Sequence, residues 1–250
     1  MLTQADVHWI ELDSVDSTND YLARAYLDGQ AAGTTAVLAH AQTAGRGRAG
    51  RQWCAEPGSS LCLSLGVPVA GYHLPALPIC TGVAIGRVLS QLNVPVRLKW
   101  PNDLLIDNRK LGGVLCESFQ SPSGPVTVIG VGLNIRKVNM TAPTPGLDIA
   151  CLADCLVEAD LPDLHRLAGD LVNSILEVID SARLHGTAAV FSEFAGRDAW
   201  LGKSVQLLDQ GVVCMTGTAM GLDSSGAYLL DTAQGLRSVM AGDLSLRVCE

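Results

Sequence analysis

The hydrophobic and polar positions of the chain predict helices alternating with strands. After a polar cluster at 16–19, apolar residues recur at helical spacing as far as residue 29, which predicts a first helix opened by an N-cap. A second helix is predicted over 77–92, and two or three more between residues 150 and 194. Short β-prone runs predict strands, and Asp107-Asn108 predicts a hairpin turn. The strand runs are Thr34–Ala41, Ser60–Val67, Val94–Lys99, Leu104–Ile106, Val114–Phe119 and Val126–Ile135.

The last fifty residues have a different pattern. From Gly202 onward, short β-prone runs alternate with Gly, Asp and Ser turn signals, which predicts a small β-barrel. The order of elements predicts an α+β protein, in which a mixed and mostly antiparallel sheet with helices precedes the barrel. We expect the boundary near Gly196–Leu201. The runs are Val205–Leu208, Val212–Met215, Ala227–Leu230, Ser238–Met240 and Leu244–Val248.

Composition narrows the classes of protein that fit. The 250 residues are 48% hydrophobic and carry a net charge of −8, so a long disordered region is not expected, and the chain is a poor candidate for general nucleic-acid binding. No segment looks like a signal peptide or a bilayer span. The eight cysteines form no C-x-x-C pair, and most lie in apolar runs, where free buried thiols are expected. The five histidines lack metal-ligand spacing. We therefore expect a cytoplasmic protein without a structural metal.

The segment Gly45–Trp53 carries the strongest chemical signal. It reads GRGRAGRQW, and no Asp or Glu lies between residues 29 and 55 to neutralise its three arginines. Glycines let backbone N–H groups approach a ligand, and guanidinium groups hold phosphates or carboxylates, so an anion site is predicted. The alternative is a solvated flexible loop. The segment also fits G-x-G-x-x-G, but no helical pattern follows Gly50, so a dinucleotide-binding fold is not expected.

Two further motifs contain candidate site residues. Lys99 ends a β-prone run just before the Trp100-Pro101 turn, where its long side chain suits a carboxylate and a phosphate that must meet; an exposed strand-end lysine is the alternative. Paired glycines at 112–113 and 130–132 indicate a bulge or a ligand against the backbone. Asn134 alternates with apolar neighbours, which is compatible with an amide that reads a base edge or with plain sheet packing.

Six motifs follow one another along the chain: S-T-N at 17–19, Q-x-x-G-R-G-R-x-G-R-x-W at 42–53, K-W-P-N-D at 99–103, K-L-G-G-V-L-x-E at 110–117, G-V-G-L-N-I at 130–135 and G-D-L-S-L-R at 242–247. In this order, they resemble the motifs of the biotin protein ligase family over nearly the whole chain. The resemblance implies a catalytic domain like that of the class II aminoacyl-tRNA synthetases over 1–198. It also implies a small SH3-like β-barrel over 199–250.

The resemblance also implies roles for individual residues. Lys99 and Arg48 are the expected catalytic residues, and Asp103 is a candidate base for the acceptor lysine. The nucleotide-binding residues would be Arg46, Arg48, Arg51, Asn102 and Asn134. The biotin-binding residues would be Ser17, Thr18, Asn19, Gln42, Gly45, Arg46, Gly47, Arg48, Trp53, Lys99 and Gly113.

The implied reaction joins biotin to ATP and then to protein. Mg-ATP is the expected cosubstrate and biotin the substrate, with biotinyl-5′-AMP as intermediate and no bound prosthetic group. The expected partner is a biotin carboxyl carrier protein or domain. Ser17 lies too near Met1 to leave room for the helix-turn-helix domain of some family members, so we expect no DNA binding and no membrane partner. A homodimer stays open, and Ala49 stands where some members have a basic residue.

Two alternatives use a similar fold or a similar pocket. A lipoate or octanoate ligase or transferase would share a lysine near Lys99, and the transferase also needs a reactive cysteine. Cys116 is the candidate, but its apolar setting predicts an inert thiol. A non-catalytic biotin or nucleotide sensor is the other alternative, and the intact Lys99 and Arg48 argue against it.

Overall fold

A computed structural model describes residues 6–68, 76–137, 148–209, 211–240 and 244–249, and these form twelve strands and four α-helices. Gly242 and Asp243 of the last motif lie outside the described residues. The helices are α1 (Thr18–Leu27), α2 (Leu77–Gln91), α3 (Leu164–His185) and α4 (Ala188–Arg197). The first seven strands are β1 (Val7–Leu12), β2 (Thr34–Ala39), β3 (Ser60–Pro68), β4 (Arg97–Lys99), β5 (Asp103–Ile106), β6 (Arg109–Ser121) and β7 (Gly124–Asn134). The last five are β8 (Ser204–Asp209), β9 (Val212–Leu222), β10 (Tyr228–Thr232), β11 (Gly235–Val239) and β12 (Leu244–Val248).

The first seven strands form one mixed sheet in the order β1-β2-β3-β7-β6-β5-β4. Only β1 and β2 pair in parallel, and each other neighbouring pair is antiparallel. The predicted mixed and mostly antiparallel sheet is therefore confirmed, as is the hairpin at Asp107-Asn108, where both turn residues have positive φ.

Helices cover both faces of this sheet. Side chains on a strand alternate between its faces, so the apolar residues of one strand can pack on helices on either side. On β3, Leu61, Leu63 and Leu65 join the large core formed with α2, α3 and α4. The residues between them, Cys62 and Ser64, point to the opposite face, where α1 packs. Cys62 also lines a cavity on this α1 face.

Some boundaries differ from the predicted ones for physical reasons. Strand β1 was not predicted. Strand β4 begins at Arg97 instead of Val94, because the backbone N–H of Val96 bonds to the carbonyl of Val94 in a turn around Pro95. Strand β9 runs to Leu222 instead of Met215, because glycines interrupt its apolar pattern without ending it. A Cβ atom at Gly217 would lie 2.5 Å from the Asp231 carbonyl oxygen, so this strand needs a glycine there.

The last five strands form a separate antiparallel sheet in the order β11-β10-β9-β8-β12. This C-terminal sheet packs against the turn that follows β4. The Tyr228 hydroxyl donates to Asp198 Oδ2 at 2.6 Å, and the rings of Trp100 and Tyr228 lie 5.5 Å apart. The indole N–H of Trp100 donates to the Gly226 carbonyl. The C-terminal sheet thus contacts the K-W-P-N-D turn directly.

The burial of the cysteines agrees only in part with the prediction from the sequence. All eight cysteines are free, but only Cys62, Cys80 and Cys151 are buried, so burial is less general than predicted. In the ranges that the structure describes, every helix is too short or too polar to cross a bilayer.

Candidate active site

A cavity of about 790 Å³ opens on the α1 face of the large sheet. Of the described residues that line it, six are lysine or arginine and one, Asp103, is acidic, although the whole chain carries a net charge of −8. All predicted site residues line the cavity except Gly45. They are Ser17, Thr18, Asn19, Gln42, Arg46, Gly47, Arg48, Arg51, Trp53, Lys99, Asn102, Gly113 and Asn134.

One end of the cavity is uncharged and is built at the start of α1. Ser17 caps this helix by accepting from the Asp20 backbone N–H. The Thr18 backbone N–H and hydroxyl both donate to Gln42 Oε1, at 2.7 and 3.0 Å. Ser64 on β3 is fully buried, and its hydroxyl lies 2.8 Å from Thr18 Oγ1. This end therefore holds neutral donors and acceptors in fixed positions.

Glycines form the floor of the cavity. A Cβ atom at Gly132 would lie 2.6 Å from the Trp53 indole, and one at Gly130 would lie 2.3 Å from Asn19 Oδ1. At Gly113 the nearest atom would be Asp103 Oδ1, at 3.5 Å. Side chains at 130 and 132 would displace Asn19 and Trp53, so these glycines make room for side chains of the chain itself, and the predicted contact of a ligand with the backbone stays a prediction.

The other end of the cavity is charged and lies three strands away. Register places Cys62 on β3, Gly132, Gly113 and Asp103 on β5 side by side across the sheet. With a strand spacing of about 4.8 Å, the charged end is roughly 14 Å from β3. This length suits an elongated ligand.

Two lysines share one carboxylate at the charged end. Lys99 Nζ lies 3.1 Å from Asp103 Oδ2, and Lys110 Nζ lies 2.7 Å from Asp103 Oδ1. The three side chains are 12–17% exposed. Burial alone would raise the pKa of Asp103, but the charges of Lys110 and Lys99 outweigh it and lower this pKa to about 2. Asp103 is therefore ionised at neutral pH, and the pair of lysines keeps a net positive charge.

The arginine-glycine segment is a hairpin loop over the cavity. The backbone N–H of Trp53 bonds to the Gly45 carbonyl, and that of Gly47 bonds to the Arg51 carbonyl. At the tip, Ala49 and Gly50 have positive φ, which is unusual for the alanine. Gly45 lies at the base of this hairpin and does not line the cavity, and a Cβ atom there would lie 2.5 Å from the Trp53 carbonyl oxygen.

Arg48 ties the tip of this loop to two other parts of the chain. Its Nη1 donates to Asn102 Oδ1 at 2.8 Å, and its Nη2 lies 3.5 Å from the Leu244 carbonyl oxygen on β12. Asn102 in turn donates to the Val114 carbonyl. Arg48 therefore joins the loop, the K-W-P-N-D turn and the C-terminal sheet.

Asn134 lies at the cavity wall but is engaged differently from the prediction. Its amide Nδ2 donates to the backbone carbonyls of Lys110 and Ala150. Both amide hydrogens are therefore used to hold the segment at 150 beside β6. A base edge could meet only the Oδ1 atom of this side chain.

Sequence reasoning missed several residues that line or support the cavity. Lys110 opens the K-L-G-G motif but was not selected, because nothing in the sequence shows that it faces Asp103. Ser64 lies in an apolar run that correctly predicts strand β3, but the run gives no sign of a polar contact with α1. Arg247 and Ser245 of β12 line the cavity, and the terminal motif that contains them was the available signal.

The fold and the cavity together define a site for an elongated ligand with one uncharged and one anionic end. Comparisons with known proteins agree. Residues 11–134 match the biotin/lipoate A/B protein ligase family, and residues 200–247 match the biotin protein ligase C-terminal domain.

Relatives and solved structures resemble the chain over nearly its full length. The biotin–[acetyl-CoA-carboxylase] ligase of Mycobacterium tuberculosis is 34% identical over 247 residues, which cover 94% of this chain and 89% of the relative. The bifunctional ligase/repressor BirA of Escherichia coli is 32% identical over 96% of this chain and 74% of its own. The biotin protein ligase of Aquifex aeolicus, solved in complex with biotin and ATP, superimposes with a TM-score of 0.83 at 27% identity, covering 97% of this chain and 99% of that one.

The chain belongs to the biotin protein ligase family. The expected enzyme class, a biotin ligase, is confirmed, and so is the mixed α/β fold with its large mixed sheet and C-terminal antiparallel sheet.

Proposed function

We propose that the enzyme forms biotinyl-5′-AMP from biotin and Mg-ATP in this cavity and then transfers biotin to a lysine of a carboxylase carrier domain. The single observation that carries the proposal is the difference between the two ends of the cavity. Neutral hydrogen-bonding groups lie at one end, and at the other end Lys99 and Lys110 share the single carboxylate of Asp103. Biotin has a neutral ureido ring at one end and a carboxylate at the other, so its polarity matches.

The uncharged end takes the ring system of biotin. The Ser17, Thr18 and Gln42 side chains supply donors and acceptors for the ureido group, which itself offers one carbonyl and two N–H groups. The glycine floor and the Trp53 indole leave a narrow space beside them. Because these groups bond to one another without ligand, they are held in place before biotin arrives, which lowers the entropic cost of binding.

The charged end carries out the first chemical step. The biotin carboxylate attacks the α-phosphorus of ATP, the bond to the bridging oxygen breaks, and pyrophosphate leaves. Biotin's carboxyl group is ionised at neutral pH, so no base is needed for this step. Lys99 and Lys110 are placed to hold the two anions together and to neutralise the charge that develops.

Asp103 positions these two lysines. A carboxyl group whose pKa is about 2 is a weak proton acceptor, so it is poorly suited to deprotonate the acceptor amine. We assign Asp103 to holding Lys99 and Lys110 apart and aligned. In the second step, the neutral acceptor amine attacks the acyl carbon of the adenylate, the acyl–oxygen bond breaks, AMP leaves, and the proton lost by the amine passes to solvent.

Arg48 closes the loop over the intermediate. Its contacts to Asn102 and to the Leu244 carbonyl brace the loop on two sides of the cavity. A mixed anhydride must be protected from water until the carrier arrives, and a braced loop provides that protection.

The carrier partner and the domain division extend the same proposal. The biotin–[acetyl-CoA-carboxylase] ligase name of the Mycobacterium tuberculosis relative supports a carboxylase carrier domain as the acceptor. Residues 1–198 form the catalytic domain, with the architecture of class II aminoacyl-tRNA synthetases, and residues 199–250 form an SH3-like barrel. The two separate sheets and the C-terminal family match at 200–247 support this division.

Pyrophosphate release tests the proposal directly. The enzyme receives Mg-ATP with biotin, lipoate or octanoate in separate reactions, and a carrier domain is then analysed by mass spectrometry. We expect release with biotin alone and a gain of one biotin on one carrier lysine. A carrier variant with that lysine replaced by arginine is the matched control and should gain nothing. Release only with lipoate or octanoate would overturn the substrate, and biotin binding without turnover would point to a sensor.

A further inference from the structure

Arg46, on the loop over the cavity, is held by two carboxylates that do not themselves line the cavity. Its Nε and Nη2 atoms meet the two oxygens of Asp20 at 2.9 and 2.5 Å. Its Nη2 also lies 3.0 and 2.9 Å from the two oxygens of Glu117. Asp20 lies in the first turn of α1 and Glu117 on β6, so Arg46 ties the loop to both the helix and the sheet.

This arrangement separates Arg46 from the other cations of the cavity. The Arg46 guanidinium group contacts the carboxylates of both Asp20 and Glu117, and neither carboxylate lines the cavity. The contact with Asp20, followed by that with Glu117, raises the pKa of Arg46. A phosphate would have to compete with both carboxylates for this guanidinium group. Arg46 is therefore better placed to anchor the loop than to bind the nucleotide.

Glu117 also contacts the uncharged end of the cavity. Its Oε2 accepts from Asn19 Nδ2 at 2.9 Å, and Asn19 Oδ1 accepts from the buried Ser64 hydroxyl at 2.6 Å. Ser64 Oγ also lies 2.8 Å from Thr18 Oγ1, so close polar contacts connect Thr18 to Arg46, and the one hydroxyl hydrogen of Ser64 can be donated either to Thr18 or to Asn19. Gly130 keeps Asn19 in this position, because any side chain there would collide with its amide.

We infer that Asp20 and Glu117 are positioning residues that anchor the closed loop through Arg46, and that Glu117 links this anchor to the groups that recognise the biotin ring. The inference rests on the proposed function, in which the loop retains the adenylate. The three side chains are 34–41% exposed, so each ion pair alone contributes little and is weakened by salt. The effect comes from the connected network and should appear in how long the adenylate is retained.

Glu117→Gln tests the anchor because it removes the charge and keeps the shape of the side chain. The adenylate is formed from biotin and Mg-ATP, and its dissociation from the enzyme is followed separately from pyrophosphate release in a single turnover. We expect dissociation to be about tenfold faster, an ordinary size for coupling between two sites, with release within about twofold of the parent enzyme. A merely structural role would instead lower the rate of pyrophosphate release and the melting temperature together.

Arg24→Ala is the matched control, since it breaks another bidentate arginine–aspartate pair on α1, to Asp16, that does not reach the loop. It should leave adenylate dissociation unchanged. Arg46→Ala should match Glu117→Gln, and the double variant should be no worse than either single one. Additive effects would overturn the shared network. If Glu117→Gln fails to fold, Asp20→Asn replaces it and should also speed dissociation.

The outcomes separate the anchor from the proposed function. If the parent enzyme releases no pyrophosphate with biotin, the proposed function fails. If the parent enzyme forms the adenylate and Glu117→Gln retains it as long, the proposed function stands and the anchor is wrong. Dissociation that stays constant as salt is raised would also contradict an anchor made of exposed ion pairs.

Discussion

The two ends of the cavity are built on the same face of one sheet but by opposite means. At the uncharged end, polar groups bond to one another, and the Thr18 hydroxyl contacts both Gln42 and Ser64. At the charged end, Lys99 and Lys110 share one carboxylate, so positive charge is left over. A satisfied network fixes shape, whereas unbalanced charge provides attraction for anions.

The contrast between the two ends predicts different effects of substitutions on substrate binding and on the chemical step. Groups that meet the substrate equally in the ground state and the transition state should affect KM, and groups that meet developing charge should affect kcat. In the proposed mechanism, groups at the uncharged end are of the first kind and groups at the charged end are of the second. Substitutions at the two ends should therefore have different kinetic signatures.

The largest effect is expected from Lys99→Ala. It removes a charge that the proposed mechanism uses in the transition state and leaves Asp103 with one lysine, so adenylation should fall by about a hundredfold or more. Pyrophosphate release at saturating biotin and Mg-ATP measures this loss. Near-normal release would take Lys99 out of the catalytic set.

Arg48→Gly is expected to have the second largest effect. It tests the role of the loop that lies over the cavity between its two ends. The variant loses the contact with Asn102, so the adenylate should escape and modify nearby lysines without selection. Mass analysis of a bystander protein detects this, with Arg24→Ala as the control that should not leak. A variant that is merely inactive, with no released adenylate, would contradict the role of Arg48 in closing the loop.

Asp103→Asn should slow both chemical steps to a similar extent, by roughly tenfold, because the lysines lose the carboxylate that aligns them. Adenylate formation and transfer from preformed adenylate are measured separately. A much greater loss in transfer would restore Asp103 as the base for the acceptor amine.

Thr18→Val tests the uncharged end with little change of shape. It removes a hydroxyl that contacts Gln42 and Ser64, so KM for biotin should rise by about five- to tenfold while kcat changes little. Steady-state pyrophosphate release with varied biotin measures both constants. A fall in kcat with unchanged KM would break the contrast between the two ends.

The last prediction concerns stability in acid, and it is a free energy of unfolding instead of a kinetic effect. The folded pKa of Asp103, about 2, lies below its ordinary value of 3.8, so its ionisation stabilises the fold above pH 4. This contribution, about 2 kcal/mol, should be lost as the pH falls through 2. Denaturant unfolding of the parent and Asp103→Asn at pH 7 and pH 3 should show a smaller difference at pH 3. A difference that does not shrink would show that Asp103 does not keep its charge as described.

Sequence patterns predicted most of the cavity wall because its residues lie in short motifs with glycines and charges. They could not predict which charges meet, since Lys110 and Asp103 come together only through the register of β5 and β6. Arg46 looked like a phosphate ligand, and its partners Asp20 and Glu117 lie far from it in sequence. The local sequence pattern shows which charged side chains are present near the cavity. The register of the strands determines which of these charges are paired.

The hydrogen-bond partners of buried polar residues were hard to predict for a similar reason. Ser64 reads as one position of an apolar strand, yet it contacts both Thr18 and Asn19. Asn134 reads as a free amide, yet two carbonyls occupy it. In both cases the partner belongs to another element, so only the packed chain reveals the bond.

Single-turnover formation of biotinyl-5′-AMP at saturating biotin, compared in Thr18→Val and Lys99→Ala, tests the division between the two ends most directly. The account predicts a near-normal rate for Thr18→Val and a rate at least about a hundredfold lower for Lys99→Ala. Equal losses in the two variants, or a normal rate in Lys99→Ala, would contradict it.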